Sequence, residues 1–205
     1  MCQHALMATR LVLIRHGETE WSRSERHTGR TDLPLTEAGS AEARLVTGAL
    51  AKWDFAGCYS SPLVRAHETA RLAGFSPELD DDLMEWDYGD AEGKSNDEIV
   101  ATSQGWSKWH GTVPGGEKVG EVGARADRFI ERVAGRSVEG PDAGDLAVFA
   151  HGHLLSIMIA RWIGMRAADG RRFPLATGSV SVLTSKRADR VLGVLNHRSG
   201  NPLPP

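Results

Sequence analysis

Apolar and polar positions along the chain follow two periods, and each period predicts its own kind of element. Short apolar runs rich in branched side chains predict buried strands at residues 10–14, 55–61 and 146–153. Alternating runs predict two further strands at residues 179–185 and 190–196. Apolar residues at helical spacing predict helices over residues 35–53, 62–74, 95–103, 117–135 and 154–164.

Side chains that favour helix ends mark several of these boundaries. Thr36 is expected to cap the first long helix, Pro62 to lie in the first turn of the next, and Gly74 to lie past its end. Ser95 and Glu98 have the spacing of a capping box. A loop rich in Gly, Pro and Asp is predicted over residues 135–145. Loose tails are expected up to about residue 8 and from about residue 198.

Strands that alternate with helices predict an α/β fold, with a largely parallel sheet and helices on both faces. The length of 205 residues suits one domain over residues 1–205, with a core at about 9–197. In such sheets, ligands bind beyond the carboxyl ends of the strands. We expect four polar clusters to converge there: Arg15-His16-Gly17, Ser60-Ser61 with Arg65, His151-Gly152-His153, and the loop of residues 83–93.

Composition narrows the class of protein. Hydrophobic residues make up 40% of the chain and charged residues 25%, as in an ordinary soluble globular protein. The formal net charge of -3 argues against general nucleic-acid binding, which usually requires a basic domain. The two cysteines, Cys2 and Cys58, provide no disulfide framework, so the cytoplasm is the expected location. The sequence shows neither a signal-peptide pattern nor an apolar run of membrane-spanning length.

Two arginines, several histidines and a carboxylate in one pocket would suit chemistry on a phosphoryl group. An arginine presents a planar fork that matches phosphate oxygens. An unprotonated histidine is a nucleophile, and the like charge of Arg15 would help to keep His16 neutral. A carboxylic acid in the same pocket can protonate the leaving oxygen. Arg15 and His16 are therefore candidates to hold a phosphate, with His16 as the group that bonds to it.

Other interpretations stay open on these residues alone. An Arg-His pair at a strand end is often only a hydrogen-bonded pair, and Arg65 could be a solvated helix residue. His151 and His153 could be two metal ligands, although no acidic cluster lies at ligand spacing. Glu85 lies in an acidic stretch, which is usually solvated. No nucleotide P-loop is present, and Cys58 lies one residue too far from Arg65 for a cysteine-phosphatase loop.

Four motifs in order resemble the histidine phosphatase superfamily, the phosphoglycerate-mutase-like proteins. They are LIRHGETEW with HTGRTDLPLTEAG, YSSPLVRAHETA, LMEWDYGDAEG and VFAHGH, and they span residues 11–153. The resemblance implies a three-layer α/β/α sandwich with a mostly parallel, mixed sheet, a phosphohistidine on His16, and neither a metal nor another cofactor. It places Arg65 at the second phosphate-binding arginine, Glu85 at the proton donor and His151 at the second catalytic histidine. The residues expected to bind phosphate or substrate are Arg15, Ser22, Thr28, Gly29, Arg65, Tyr88, His151, Gly152 and His153.

This family contains mutases, which move a phosphoryl group within phosphoglycerate, and phosphatases, which transfer it to water. Asn96 stands where mutases carry lysine, and Ser22 and His153 stand where they carry asparagine. Residues 95–117 contain no arginine, although Lys108 is available. The pattern therefore favours a metal-independent phosphatase acting on a small phosphorylated molecule, similar to fungal sedoheptulose bisphosphatases and bacterial acid phosphatases. A phosphoglycerate mutase and a non-catalytic phosphate-binding module are the alternatives, and the chain could form a homodimer.

Overall fold

A computed structural model describes residues 10–102, 107–111, 113–134, 144–187, 189–198 and 202–203. Their elements, in chain order, are β1 (Leu11–Arg15), α1 (Glu20–Arg23), α2 (Glu37–Ala49), β2 (Phe55–Ser60), α3 (Val64–Leu72), β3 (Glu78–Leu79), α4 (Asn96–Thr102), α5 (Val119–Ala134), β4 (Asp145–Ala150), α6 (Gly152–Trp162), β5 (Val180–Lys186) and β6 (Asp189–His197). Short 3₁₀ helices span Asp81–Leu83, Gly89–Ala91 and Ala167–Arg172. The sequence predicted each of these strands and α-helices except the short α1 and β3.

The strands form one mixed sheet in the order β3-β2-β4-β1-β5-β6. The pairs β2–β3, β2–β4 and β1–β4 are parallel, whereas β5 is antiparallel to both β1 and β6. Within the sheet, β1 lies between β4 and β5, and its last residue, Arg15, pairs with Ala150 at the end of β4. The carboxyl ends of these two strands therefore lie side by side, which brings together the polar residues that follow them.

Side chains of β1 alternate between two apolar cores on opposite faces of the sheet. Leu11 and Leu13 belong to the core that includes α5 and α6. Val12 and Ile14 belong to the core that includes α2 and α3. This alternation follows from the two-residue period of a strand. Helices thus cover both faces, and the predicted α/β/α sandwich is confirmed.

Several predicted helix ends have the expected hydrogen bonds. The Thr36 hydroxyl accepts a bond from the Gly39 N–H at 3.0 Å and caps α2. In the predicted capping box of α4, the Glu98 carboxylate accepts from the Ser95 N–H at 2.7 Å, and the Ser95 hydroxyl accepts from the Glu98 N–H at 3.2 Å. Gly74 follows α3 with a φ of 91°, a conformation that glycine adopts readily.

The start of α3 differs from the prediction. Pro62 lies before the helix, Leu63 is its N-cap and Val64 is its first residue. The N-cap side chain makes no capping bond, and Asp32 instead accepts a hydrogen bond from the Val64 N–H at 2.8 Å. Because this cap comes from a distant part of the chain, the local sequence carries no signal for the boundary.

The strand predicted over residues 146–153 is wrong at its carboxyl end. β4 ends at Ala150, His151 is an extended N-cap, and α6 begins at Gly152. Apolar residues continue from the strand into the helix almost without interruption, so hydrophobicity alone could not separate the two elements. As a result His153 lies in the first turn of a helix and not on a strand.

The tail from residue 198, expected to be loose, is anchored at Leu203. The Leu203 side chain is buried in the core that includes α2 and α3. Its N–H donates to the Ala49 carbonyl at 2.9 Å, and its carbonyl accepts from the Trp53 indole at 3.2 Å. A single leucine among prolines has no periodic pattern, so only the tertiary contacts reveal this anchor.

Two other expectations fall largely outside the described ranges. These are the loose tail up to residue 8 and the loop of residues 135–145, of which only the last two positions are described. No helix in the described part of the chain has the length and apolar character needed to cross a membrane.

Candidate active site

The polar residues after β1 and β4 meet at the carboxyl edge of the sheet. The His16 N–H donates to the Ala150 carbonyl at 3.0 Å, which continues the β1–β4 pairing by one residue. The Gly17 N–H then donates to the Thr69 hydroxyl of α3 at 3.0 Å. Backbone hydrogen bonds on both sides therefore fix the position of His16.

The His16 ring is buried and its tautomer is set by its own backbone. Its Nδ1 lies 2.7 Å from the Gly17 carbonyl, which can only accept, so Nδ1 carries the proton. Burial lowers the pKa of His16 well below its usual value, and the charges of Arg65 and Arg15 lower it further. The ring is consequently neutral at physiological pH, with its lone pair on Nε2.

Arg65 is fully buried and its guanidinium is held at three points. It donates to the Thr31 carbonyl at 3.0 Å, to the Gly29 carbonyl at 2.8 Å, and through Nε to Nδ1 of His151 at 3.2 Å. Because arginine only donates, His151 must carry its proton on Nε2, which lies 2.8 Å from the Ser61 hydroxyl. This chain of hydrogen bonds orients Arg65.

His151 also lies close to the proposed nucleophile, with its ring centroid 5.2 Å from that of His16. Burial lowers the pKa of His151 well below its usual value, and the nearby Arg65 adds to this effect. His151 is therefore a neutral, fully buried ring behind Arg65.

Arg15 reaches the same place from the end of β1. One of its terminal nitrogens donates to the Leu175 carbonyl. Among the side chains that the structure describes, its buried Nε has no hydrogen-bond partner. A buried N–H of a charged group without an acceptor is costly, and an anion in the cleft would relieve that cost.

Glu85 is buried and receives hydrogen bonds from backbone N–H groups. Its Oε1 accepts from Trp86 at 2.8 Å and from Leu154 at 3.0 Å, and its Oε2 accepts from His153 at 3.1 Å. Two of these donors belong to the first turn of α6, where backbone N–H groups have no partner within the helix and can bind a side-chain oxygen. The helix therefore places Glu85 beside the residues that follow β4.

The loop that carries Glu85 is held by a residue that the sequence did not single out. Arg125 of α5 donates to the carbonyls of Met84 at 3.0 Å and Glu85 at 3.3 Å. It also forms a salt bridge with Glu117 at 2.7 Å. An arginine in an amphipathic helix carries no local signal of such a role, because its partners come from another segment.

Tyr88 and His153 form a second polar pair in the cleft, with the phenol oxygen 2.5 Å from Nδ1 of His153. Burial and the charge of Glu85 raise the pKa of Tyr88 well above its usual value, so the phenol keeps its proton. Burial lowers the pKa of His153 well below its usual value. The His153 ring is therefore neutral at physiological pH, with its Nδ1 engaged by the Tyr88 hydroxyl.

These residues line a cleft of about 500 Å³, a size typical of sites for small molecules. Most of the residues predicted from the sequence line it: Arg15, His16, Ser22, Thr28, Arg65, Glu85, Tyr88, Gly152 and His153. His151 and Gly29 do not line the cleft. The His151 ring is fully buried and accepts a hydrogen bond from Arg65, and the Gly29 carbonyl accepts another. Lining residues that the prediction omitted are Glu25, Arg26, His27, Asn96, Lys108, Pro174 and Leu175.

The alternative of a metal site on His151 and His153 is disfavoured by their contacts. Both nitrogens of His151 are engaged, by Arg65 and by Ser61, and Nδ1 of His153 is engaged by Tyr88. Within the described ranges, no group of three or more His, Cys, Asp or Glu side chains could hold a metal ion.

Cys58 also does not fit the role of a reactive thiol. It lies within β2, and burial raises its pKa to about 12. A thiol with such a pKa stays protonated at physiological pH and is a poor nucleophile.

Comparison with known proteins places this chain in a family. A model of the histidine phosphatase superfamily (branch 1) matches residues 11–198. An acid phosphatase of Mycobacterium tuberculosis is 35% identical, over 95% of each chain. Sedoheptulose 1,7-bisphosphatase of Saccharomyces cerevisiae is 35% identical, over 78% of this chain and 69% of its own. A 2,3-bisphosphoglycerate-dependent phosphoglycerate mutase of Gloeobacter violaceus is 34% identical, over 73% of each chain.

The fold agrees with these matches. A solved structure from Mycobacterium tuberculosis, the product of an open reading frame, superposes with a TM-score of 0.84 at 35% identity. The superposition covers 94% of this chain and 99% of that one. With the family model matching nearly the whole length, the chain belongs to the histidine phosphatase superfamily, branch 1.

Proposed function

We propose that this protein is a metal-independent phosphatase that hydrolyses small phosphomonoesters through a phosphohistidine intermediate on His16. The observation that carries the proposal is the state of the His16 ring. It is buried and neutral, its Nδ1 is held by its own backbone, and it lines a cleft together with Arg15, Arg65 and Glu85.

In the proposed first step, Nε2 of His16 attacks phosphorus while Arg15 and Arg65 hold the non-bridging oxygens. The two guanidinium groups neutralise the charge that spreads over these oxygens, a role that metal ions fill in other phosphatases. The bond from phosphorus to the ester oxygen breaks, and Glu85 gives its proton to that oxygen. The alcohol leaves, and the phosphoryl group stays on His16.

In the second step, water takes the phosphoryl group from His16. The carboxylate of Glu85 accepts a proton from the water as its oxygen attacks phosphorus, and the bond from phosphorus to Nε2 breaks. Inorganic phosphate leaves, and both His16 and Glu85 return to their starting protonation states. We assign His151 to positioning Arg65, because its Nδ1 accepts from Arg65 and its ring does not line the cleft.

Water is the proposed acceptor, because the cleft offers few groups that would grip phosphoglycerate. Apart from the two arginines at the phosphoryl group, the cations that line it among the described residues are Arg26 and Lys108. Arg26 is already paired with Glu98 at 2.8 Å. A mutase needs several cations, since a buried anion without a partner is costly.

An assay with and without 2,3-bisphosphoglycerate separates phosphatase from mutase. We expect phosphate release from phosphomonoesters without this primer, and little interconversion of phosphoglycerate isomers. If primer-stimulated isomerisation outpaced phosphate release about tenfold, a barrier difference of about 1.4 kcal/mol, the mutase would be the correct assignment.

Trapping the intermediate tests the chemistry itself. Brief mixing with substrate should leave an acid-labile, alkali-stable phosphate on His16. The variant His16→Ala should form none and should lose several orders of magnitude in turnover, because the nucleophile is gone. His67→Ala, which alters an exposed histidine on α3, is the matched control and should behave like the wild type. A wild-type protein that neither forms phosphohistidine nor releases phosphate would be a phosphate-binding module.

A further inference from the structure

Glu92 lies in the same loop as Glu85, but the proposed chemistry does not use it. Its half-buried side chain is not among the described residues that line the cleft. The carboxylate instead accepts hydrogen bonds from the segment of residues 29–31. Its Oε1 accepts from the Arg30 N–H at 2.6 Å, and its Oε2 accepts from the N–H and the hydroxyl of Thr31 at 2.9 and 2.5 Å. Both carboxylate oxygens therefore hold one short segment.

One peptide group connects Glu92 with Arg65. The Arg30 N–H donates to Glu92, and the Gly29 carbonyl of the same peptide group accepts from Arg65 at 2.8 Å. A trans peptide is planar, with its N–H and C=O pointing in opposite directions, so the two side chains bind opposite edges of this group. Hydrogen bonds in such a chain polarise and strengthen one another. The orientation of this peptide therefore depends on Glu92 as well as on Arg65.

The next residue repeats this connection. The Thr31 carbonyl accepts from Arg65 at 3.0 Å, while the N–H and hydroxyl of Thr31 donate to Glu92. The segment also packs tightly on the carboxylate, since a Cβ atom at Gly29 would lie 1.9 Å from Oε1 of Glu92. Burial lowers the pKa of Arg65, and nearby acidic groups, Glu92 among them, oppose this. Glu92 thus fixes both carbonyls that hold the guanidinium.

We propose that Glu92 is a positioning residue, which sets the direction of the Arg65 guanidinium through the peptide groups of residues 29–31. This inference rests on the proposed phosphatase activity and adds a residue to it. In the described contacts, three of the five N–H groups of Arg65 are engaged, by His151 and by this segment, so two remain for phosphoryl oxygens. Because the guanidinium is planar, holding three of its N–H groups directs the other two. Glu92 takes no part in bond breaking.

Binding of vanadate and of inorganic phosphate tests the proposal. Vanadate can adopt the five-coordinate geometry of a phosphoryl group in transfer, so its affinity reports how well the arginines are directed. We expect Glu92→Ala to weaken vanadate binding by roughly ten- to a hundredfold and to lower kcat/KM on p-nitrophenyl phosphate by a similar factor. Inorganic phosphate should lose less affinity. Glu92→Gln keeps one oxygen as an acceptor and should lose less than Glu92→Ala.

Glu68→Gln is the matched control. Glu68 lies on α3, one turn after Arg65, and pairs with Arg71 of the same helix at 2.7 Å. Its substitution removes a carboxylate from the helix that carries Arg65, and vanadate binding and turnover should stay unchanged. Partial unfolding of a Glu92 variant is recognised separately. It lowers kcat and the number of binding sites, but not the affinity of the molecules that remain folded.

A double-mutant cycle with Arg65→Lys shows whether Glu92 acts through the guanidinium. Lysine keeps the charge but lacks the planar fork that binds both carbonyls. In the Arg65→Lys protein, Glu92→Ala should therefore reduce vanadate affinity by a factor at least about fivefold smaller than in the wild type. If Glu92→Ala yields no folded protein, Glu92→Gln takes its place in the cycle.

Two results would overturn the inference. One is a wild-type vanadate affinity in the Glu92 variants. The other is an equal loss in the wild-type and Arg65→Lys backgrounds, which would mean that Glu92 supports the structure independently of Arg65. Failure of the phosphatase proposal is distinguishable, because the wild type would then release no phosphate from any substrate, whereas the binding measurements require no turnover.

Discussion

The position of Glu85 depends on hydrogen bonds to both of its side-chain oxygens. Both of its carboxylate oxygens accept backbone N–H bonds, two at Oε1 and one at Oε2. An amide in its place keeps only one oxygen, so a glutamine must turn its NH₂ group towards one set of these donors. The substitution Glu85→Gln therefore removes the transferable proton and at least one hydrogen bond together.

The leaving group separates these two effects. A proton donor matters most when the leaving anion is unstable. Glu85→Gln should therefore slow hydrolysis of a sugar phosphate by at least tenfold more than hydrolysis of p-nitrophenyl phosphate. Parallel kinetics on the two substrates provide the measurement. Equal losses would mean that the variant acts through the lost hydrogen bond, and Asp87 would then be the next candidate for the acid.

The backbone of the loop after β1 is in direct contact with the backbone of the first turn of α2. A Cβ atom at Gly39 would lie 2.0 Å from the Glu18 carbonyl oxygen, and one at Gly17 would lie 2.2 Å from the Gly39 carbonyl oxygen. No side chain fits at either position without moving the backbone. This close contact locks α2 against the residue that follows His16.

Gly39→Ala should push these two segments apart. We expect the free energy of unfolding to fall by roughly 1–3 kcal/mol, as for other overpacked sites, and turnover to fall because His16 shifts. Gly120→Ala is the matched control in α5, where a Cβ meets nothing within 4 Å. It should leave stability unchanged or raise it by up to about 1 kcal/mol. Urea denaturation of both variants measures the difference, and equal effects would show that the contact is unimportant.

The sequence predicted these elements well where the signal is local. Alternation and branched residues located β1, and the pairing of polar residues with strand ends located Arg15, His16 and the cluster around His151. Glu85 was found through its motif. Contacts that depend on distant partners were not predicted, as with Asp32 capping α3 and Arg125 holding the loop of Glu85. Lys108 was noted as an available cation, but its place in the cleft was not predicted.

For the whole molecule, four neutral histidines make stability depend on pH. Burial lowers the pKa of His16, His27, His151 and His153 in the folded protein, whereas in the unfolded chain each has its ordinary pKa of about 6.5. Below that pH the unfolded chain binds more protons than the folded one. Stability is therefore fully present above about pH 6.5 and falls as pH drops, by up to about 1.4 kcal/mol per pH unit for each ring.

The urea midpoint should accordingly be nearly level around pH 7 and should fall between pH 6.5 and 5. The half-buried carboxylate of Glu117 adds little in this range, because hydrogen bonds from Arg125 and from the Asp87 N–H lower its pKa from 4.5. His153→Asn should reduce the slope, whereas His110→Asn, at an exposed site, should leave it unchanged. A midpoint that stays level down to pH 5 would contradict the neutral state of these rings in the folded protein.

The strand order has a consequence for how the chain is made. Among the described strands, β1 pairs with β4 and β5, and Arg15 at its end pairs with Ala150. When the first half of the chain has emerged from the ribosome, the apolar strand β1 is therefore unpaired, because β4 and β5 have not yet been synthesised. Contacts between residues so far apart in sequence form slowly, and the unpaired strand can aggregate until they have formed. The histidine of the proposed chemistry thus acquires its pocket late in biosynthesis, and a chaperone that shields β1 would be expected to raise the yield of active protein.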